Sequence, residues 1–277
     1  MKDARARPLR HLWRIVALVL LSFLALQLYF LMRVALMTVV NPQSTTFQRS
    51  EAWRLLKETH QIRWSQQWAD YGHIATPLKR AVIASEDANF FDHSGVEWDA
   101  LEKAWEKNQA AEARVAKINA ELERRAAREA ARASRRKPAS ATAPPPPKPV
   151  THVMPKIVGG STITQQLAKN LFLGSERNVA RKGQEFLITF MLESLLSKQR
   201  ILEIYLNSVE WGEGVFGSEA AARHYFHTSA ASLEPSQAAR LAVMLPAPKR
   251  FEKKPDSAYV LGRAGTVMAR MGVVELP

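Results

Sequence analysis

The sequence predicts a mainly α-helical fold behind one N-terminal transmembrane helix. Three observations carry that expectation. A long uncharged apolar run lies near the N-terminus, apolar residues recur at helical spacing in several later stretches, and long alternating β-branched runs are absent. Hydrophobic residues make up 47% of the 277, which is enough for a packed core. The length suits one large domain or two small ones.

Residues 12–40 are almost wholly apolar, with Arg14 near the start and Arg33 late in the run. Residues 15–32 hold no charge, a stretch long enough to cross a hydrocarbon core of ~30 Å as a helix. Lys2, Arg5, Arg7, Arg10 and Arg14 precede or open it against one acid, Asp3. The positive-inside rule therefore keeps the N-terminus in the cytoplasm and exports the rest, and Arg33 can snorkel to the far interface. A cleaved signal peptide would have an apolar region of about 7–15 residues and a small-x-small cleavage site. No such site stands out, so the expectation is an uncleaved anchor.

A polar stretch follows to about residue 50, and residues 51–68, with scattered Trp and Arg, could be helical. Thr76-Pro77 opens a helix-like run through Leu78, Val82 and Ile83, with Pro77 suited to a first helical position. Residues 107–150 then carry eleven Lys and Arg against four Glu, a net +7 out of the chain's +13. This segment reads as a charged helix followed by a proline-rich, extended linker without a core of its own, and it is either a solvated insertion, the favoured reading, or a binder of anionic lipid or nucleic acid. From Gly159 onward helical spacing returns in TITQQLAKNLF, RKGQEFLITFMLESLLSKQ, KQRILEIYLN and SQAARLAVMLPAP, the last halted by Pro246.

The overall charge predicts an anionic partner: nucleic acid, an anionic lipid surface or a phosphorylated substrate. The chain has no cysteine. That excludes disulfides, thiolate metal sites and a Cys nucleophile.

Four stretches could carry chemistry. In AVIASEDANFFDHSG, Glu86 and Asp87 follow an apolar helix face and precede Phe90 and Phe91. A carboxylate against apolar walls loses hydration, and its pKa rises toward the range of a general base or acid. The bland alternative is a helix-end carboxylate in solvent, with His93 as a structural hydrogen-bonder. In GGSTITQQLAKN, Thr162 and Gln165 have capping-box spacing, so a helix starts there and could seat an anion, with Lys169 two turns in. An ordinary capped helix has the same signature. In SERNVARKGQE, Arg177, Arg181 and Lys182 could clamp a phosphate, with Glu185 organising them or holding a divalent ion. Arg181 and Glu185 could equally be a plain i,i+4 pair worth a few tenths of a kcal/mol. KQRILEIYLN, with Glu203 and Asn207 on one face, reads as scaffold.

Together, EDANFFDHSG, GGSTITQQLAKN, RKGQE and KQRILEIYLN resemble the ordered motifs of the peptidoglycan glycosyltransferases, glycosyltransferase family 51, which also form the glycosyltransferase domain of class A penicillin-binding proteins. The resemblance covers about residues 75–255 outside the 107–150 segment. No transpeptidase-like stretch follows before Pro277, which is similar to the monofunctional biosynthetic transglycosylases. It implies a lysozyme-like helical domain at residues 41–277, interrupted at about 107–150, behind a cytoplasmic tail and anchor at residues 1–40. It further implies an inner-membrane location with the domain in the periplasm.

The resemblance also implies roles. Glu86 would be the base that takes the proton from the acceptor hydroxyl of lipid II, which attacks the anomeric carbon of the growing lipid-linked glycan. Undecaprenyl pyrophosphate would leave with inversion. Lys169, Arg177, Arg181 and Lys182 would hold the pyrophosphate, and Glu185 would be the second essential carboxylate. Ser161, Thr162, Gln165 and Gln166 would line the donor groove, with Asp87 and His93 in support. No cofactor is obligatory on this reading, with Mg²⁺ or Mn²⁺ near Glu185 as an accessory. The expected partners are lipid II, the membrane and other cell-wall synthesis or division proteins, and not nucleic acid. Two rival classes are a lysozyme-like lytic enzyme, which needs no pyrophosphate clamp, and a non-catalytic basic membrane scaffold, which leaves the carboxylate pair unexplained.

Overall fold

The computed structural model describes residues 6–135, 151–155, 159–174, 176 and 178–277. They form two compact units, one built from residues up to Val96 together with Thr162–Pro277, the other Glu97–Ser161.

In the first unit, α1 (Ala6–Leu36) contains a stretch, His11–Leu36, long and apolar enough to cross a membrane. Most of its large side chains are exposed, but Phe30 and Val34, with Met37 just past its end, are buried and belong to the unit's core. With Gln27 they recur at three- and four-residue spacing, so they form one stripe. The next helix, α2 (Thr46–Thr59), starts earlier and stops earlier than the Trp/Arg pattern of residues 51–68 predicts. Its start is set by a capping box between Thr45 and Gln48, and its end by His60 in the left-handed conformation, φ 56°. The chain then extends into a short strand, β1 (Ser65–Gln66).

As the Pro77 signal predicts, α3 (Thr76–Glu86) has proline in its first turn. Leu78, Ala81, Val82 and Ile83 are buried along it, Glu86 is its last helical residue, and Asp87 is its C-cap. The helix α4 (Trp98–Arg135) belongs to the second unit. The first unit resumes with α5 (Ile163–Phe172), α6 (Val179–Leu195) and α7 (Lys198–Ser208). A hairpin of β2 (Glu210–Gly212) and β3 (Val215–Phe216) follows. β3 pairs parallel with β1 and antiparallel with β2, giving the order β1-β3-β2. Strands this short leave no alternating pattern long enough to read. The unit closes with α8 (Ser218–Phe226), α9 (Pro235–Met244), the single turn α10 (Pro248–Phe251) and α11 (Ala258–Met271). α3 packs against α9 and α11, and α5 packs against α6 and α7.

The scaffold reading of KQRILEIYLN holds. Asn207 is fully buried, and its side chain exchanges two 2.8 Å hydrogen bonds with the backbone of Ala69. Glu203 Oε1 accepts from the Tyr71 N–H at 3.0 Å. These side chains satisfy backbone groups that no strand pairs.

In the second unit, α4 begins at Trp98, ahead of the charged segment that starts at Lys107. Ala104 is buried in it, and Asp99 sits in its first turn, where a carboxylate complements the helix dipole. The Asn119 side chain exchanges hydrogen bonds of 2.8 and 3.0 Å with the backbone of Val153, so the returning chain runs along the helix. The expected proline-rich linker lies outside the described residues.

Candidate active site

The carboxylate pair at the end of α3 has split duties. Asp87 is buried and fully engaged: Oδ1 accepts from His93 Nε2 at 2.8 Å and Oδ2 from the Ile163 N–H at 2.9 Å. His93 Nδ1 accepts from the Gly95 N–H at 3.1 Å, which places the ring proton on Nε2, facing Asp87. Asp87 therefore ties α3 to the first turn of α5. The Thr162 hydroxyl extends the tie by donating to the Gly95 carbonyl at 2.6 Å.

Glu86, one residue earlier, points elsewhere and stays partly open to solvent. Its Oε2 accepts from Gln166 Nε2 at 3.0 Å. The Gln166 amide is oriented from behind, because the buried Tyr205 hydroxyl donates to its Oε1 at 3.0 Å. Burial first, and then the Asp87 charge, push the Glu86 carboxyl above its usual range, while Gln166 and Lys169 pull it back. Burial raises the Tyr205 phenol well above its ordinary value, with Glu86 and Asp87 adding to the effect. Tyr205 thus serves as a fixed donor rather than an acid.

The capping box foreseen for Thr162 and Gln165 is present: Thr162 Oγ1 accepts from Gln165 N–H at 3.2 Å, and Gln165 Oε1 from Thr162 N–H at 3.1 Å. Both residues are buried. Gln166, about 100° further round the helix, is the one that meets Glu86. Ser161 is exposed and falls in the other unit.

The cationic group stands at the start of α6. Asn178 caps the helix by accepting from the Arg181 N–H at 2.7 Å. Arg181 and Lys182 follow at once, where the helix dipole disfavours positive charge and no acid stands in the first turn. Glu185, with 3% of its surface exposed, offsets them: Oε2 accepts from Arg181 Nη1 at 3.0 Å and Oε1 from Lys182 Nζ. So the i,i+4 pair exists, but inside a three-membered group with two cations on one buried carboxylate. That excess of positive charge at a helix N-terminus is suited to an anion. Arg177 lies outside the described residues.

Lys169 links the two halves electrostatically. Desolvation first, then Arg181 and Lys182, lower its pKa, while Glu185 and Glu86 raise it. One helix, α5, therefore faces the lone carboxylate of Glu86 with Gln166 and the α6 cations with Lys169, one turn on.

The motifs did not announce Tyr205, nor a second polar network behind the site. In that network Glu193 Oε1 accepts from the Thr164 hydroxyl at 2.6 Å and from Lys198 Nζ at 2.9 Å. Tyr205 sits among core-like residues of α7, and only its hydroxyl gives it a polar task.

The transglycosylase family model matches residues 54–133 and 151–272, so residues 134–150 alone interrupt it. A protein of Cupriavidus metallidurans is 47% identical over 277 residues, covering 97% of this chain and all of its own length. One from Paraburkholderia xenovorans is 44% identical over 275 residues, covering 99% and 97%. One from Herminiimonas arsenicoxydans is 44% identical over 265 residues, covering 96% of each. Each of these relatives is named a biosynthetic peptidoglycan transglycosylase. With the family matched over most of its length and relatives this similar from end to end, the chain belongs to the transglycosylase family.

Proposed function

We infer that this transglycosylase polymerises lipid II into β-1,4-linked glycan strands, with Glu86 as general base. Glu86 takes the proton of the acceptor hydroxyl. The oxygen attacks the anomeric carbon of the lipid-linked donor, the bond to pyrophosphate breaks on the opposite face, and configuration inverts. Lys169, Arg181 and Lys182 hold the charge that develops on the leaving pyrophosphate, and Glu185 keeps the α6 cations in place. Arg177 and Ser161 are assigned to the donor side by motif position alone. Thr162 and Gln165 shape the start of α5, and Gln166 holds the base.

The observation that carries this reading is the arrangement on α5. Gln166 reaches Glu86, and Lys169, one turn on along the same helix, lies where the charges of Glu86, Glu185, Arg181 and Lys182 all bear on it. A base and an anion clamp on one rigid element suit displacement of a charged leaving group. A lytic enzyme has a use for the first and none for the second.

The α1 helix suits a single-pass inner-membrane anchor, with its basic N-terminus cytoplasmic and the enzymatic domain periplasmic. α6 exposes Val179, Leu187 and Phe190, which fits work on a lipid-linked substrate at a membrane surface. Among the described residues no three His, Asp or Glu group into a metal cage. A divalent ion beside Glu185 would therefore take most of its ligands from substrate oxygens and water. Other cell-wall synthesis proteins are the expected neighbours.

The test is polymerisation of labelled lipid II by the full chain in detergent, with and without Mg²⁺, beside Glu86→Gln. A ladder digestible by muramidase, reduced about 10²–10⁴-fold in the variant, is expected. A wild-type enzyme that cuts glycan and builds none, or a fully active Glu86→Gln, overturns the reading.

A further inference from the structure

We propose that Gln27 of the anchor helix is a positioning residue for catalysis, fixing the first turns of α6 through its amide pair with Gln184. The inference rests on the reading of α6 as the pyrophosphate clamp. Gln27 lies within the uncharged stretch of α1, where an unpaired amide is costly. Its Nε2 donates to Gln184 Oε1 at 2.9 Å, and Gln184 Nε2 donates back to Gln27 Oε1 at 2.9 Å.

Gln184 precedes Glu185 and lies two residues after Lys182. On a helix those neighbours point about 100° and 200° away. A shift of the first turns of α6 that slackened the amide pair would therefore move Arg181 and Lys182, with the Glu185 they hold, against Lys169. The C-terminal half of α6 is held by its buried Ile188, Thr189 and Leu192 and by Glu193, which meets Thr164 and Lys198, whereas residues 179–184, ahead of Glu185, bury no side chain. The other contacts of α1 lie off those turns: Phe30 meets the ring of Phe172, at the end of α5, edge-on at 5.3 Å, and Val34 and Met37 are buried apolar side chains. Apolar contacts allow sliding, whereas two antiparallel amide bonds set both height and angle. The far end of the helix is held separately: Arg200 donates to the Met37 carbonyl at 2.9 Å and to Asn41 Oδ1 at 2.7 Å. With that end pinned, the pair at Gln27 determines how α1 meets α6.

The alternative is that the pair only helps the helices pack. The two cases differ in kinetics. Interactions felt by the leaving group in the transition state act on kcat, and a packing defect acts on the amount of folded enzyme. The experiment uses the full chain in phosphatidylethanolamine/phosphatidylglycerol vesicles, with lipid II as substrate. The variants are Gln27→Leu, Gln184→Met and the double variant, with lipid-facing Leu24→Ala as control. Gln184→Met leaves the anchor untouched, so a failure of Gln27→Leu to insert does not block the test. Each single change is expected to lower kcat by about three- to tenfold, with KM and melting temperature held, and the double variant to fall no further. Wild-type kcat in both single variants, multiplying losses in the double, or losses that track the folded fraction overturn the proposal and leave the clamp reading standing. A wild-type chain that makes no polymer overturns the clamp reading, and the proposal with it.

Discussion

Adjacent carboxylates at the end of α3 should respond in opposite ways to the loss of charge. Asp87→Asn replaces a buried acceptor of two N–H groups, those of Ile163 and His93. An amide offers one oxygen, so its own N–H₂ must face one of those donors. Changing the His93 tautomer gives no relief, because Nδ1 already accepts from Gly95. One buried donor goes unmet, at about 1–3 kcal/mol, and the surviving bond loses its charge assistance, about 1 kcal/mol more. The total is about 2–4 kcal/mol. For a domain of this size that lowers the melting temperature by roughly 5–12 °C.

Glu86→Gln removes a carboxylate whose pKa burial and Asp87 hold up. A raised carboxyl pKa means that the ionised form costs stability in the fold. The contribution is present below the unfolded pKa and lost as pH rises through the folded one. The amide removes that cost, so at neutral pH Glu86→Gln should melt at or above the wild-type temperature while losing activity. Differential scanning fluorimetry of both variants in one detergent, beside the polymerisation assay, makes the comparison. An Asp87→Asn chain that melts within about 2 °C of wild type, or a Glu86→Gln chain that melts as low as Asp87→Asn, would refute the assignment.

Three further outcomes follow from the same geometry. The polymerisation rate should fall as pH drops through the raised Glu86 pKa, and Gln166→Leu, which deletes a contact that lowers that pKa, should move the acid limb to higher pH; an unmoved limb in a folded variant counts against Glu86 as the base. Gly95 holds φ 86°, and an added Cβ would lie 2.7 Å from Thr189 Cγ2 and 2.8 Å from Glu193 Cγ. Gly95→Ala should cost about 2–4 kcal/mol in denaturant unfolding, and a neutral result would show that α6 yields at this contact. Away from the site, burial pushes the Glu210 carboxyl up to about 7, with Glu51 and Glu252 adding to the shift and Lys249 opposing it. Wild-type stability should therefore decline between about pH 5 and 8, and Glu210→Gln should flatten that decline; parallel curves for the two would refute the assignment.

The parts of the molecule legible in the sequence are those decided within a few residues. The long apolar helix α1 follows from an uncharged apolar run, α3 from Pro77 and its apolar spacing, and α5 from the Thr162–Gln165 box. Each rests on a contact or period spanning one turn of helix. The ordered motifs reach further and mark Glu86, Lys169 and Glu185 as a set. Boundaries set by local backbone conformation were less legible. The left-handed His60 ends α2 before the Trp/Arg pattern does, and α4 begins ahead of the charged segment.

Only the tertiary structure decides which polar groups are already engaged. Asp87 and Glu86 are equivalent in a string of letters. Contacts 6 and 76 residues away make one a strut, and a contact 80 residues away steadies the other as a partly open carboxylate. Gln165 and Gln166 are likewise alike until the helix turns one into the cap and the other toward Glu86. Tyr205 and Gln27 looked like members of apolar stretches, because nothing near them in sequence shows the amides they meet, 39 and 157 residues distant. Local periodicity specifies the elements through short-range sterics and capping. The partners of a buried polar atom are set by how those elements pack, and in this chain that packing determines which carboxylate stays available for chemistry.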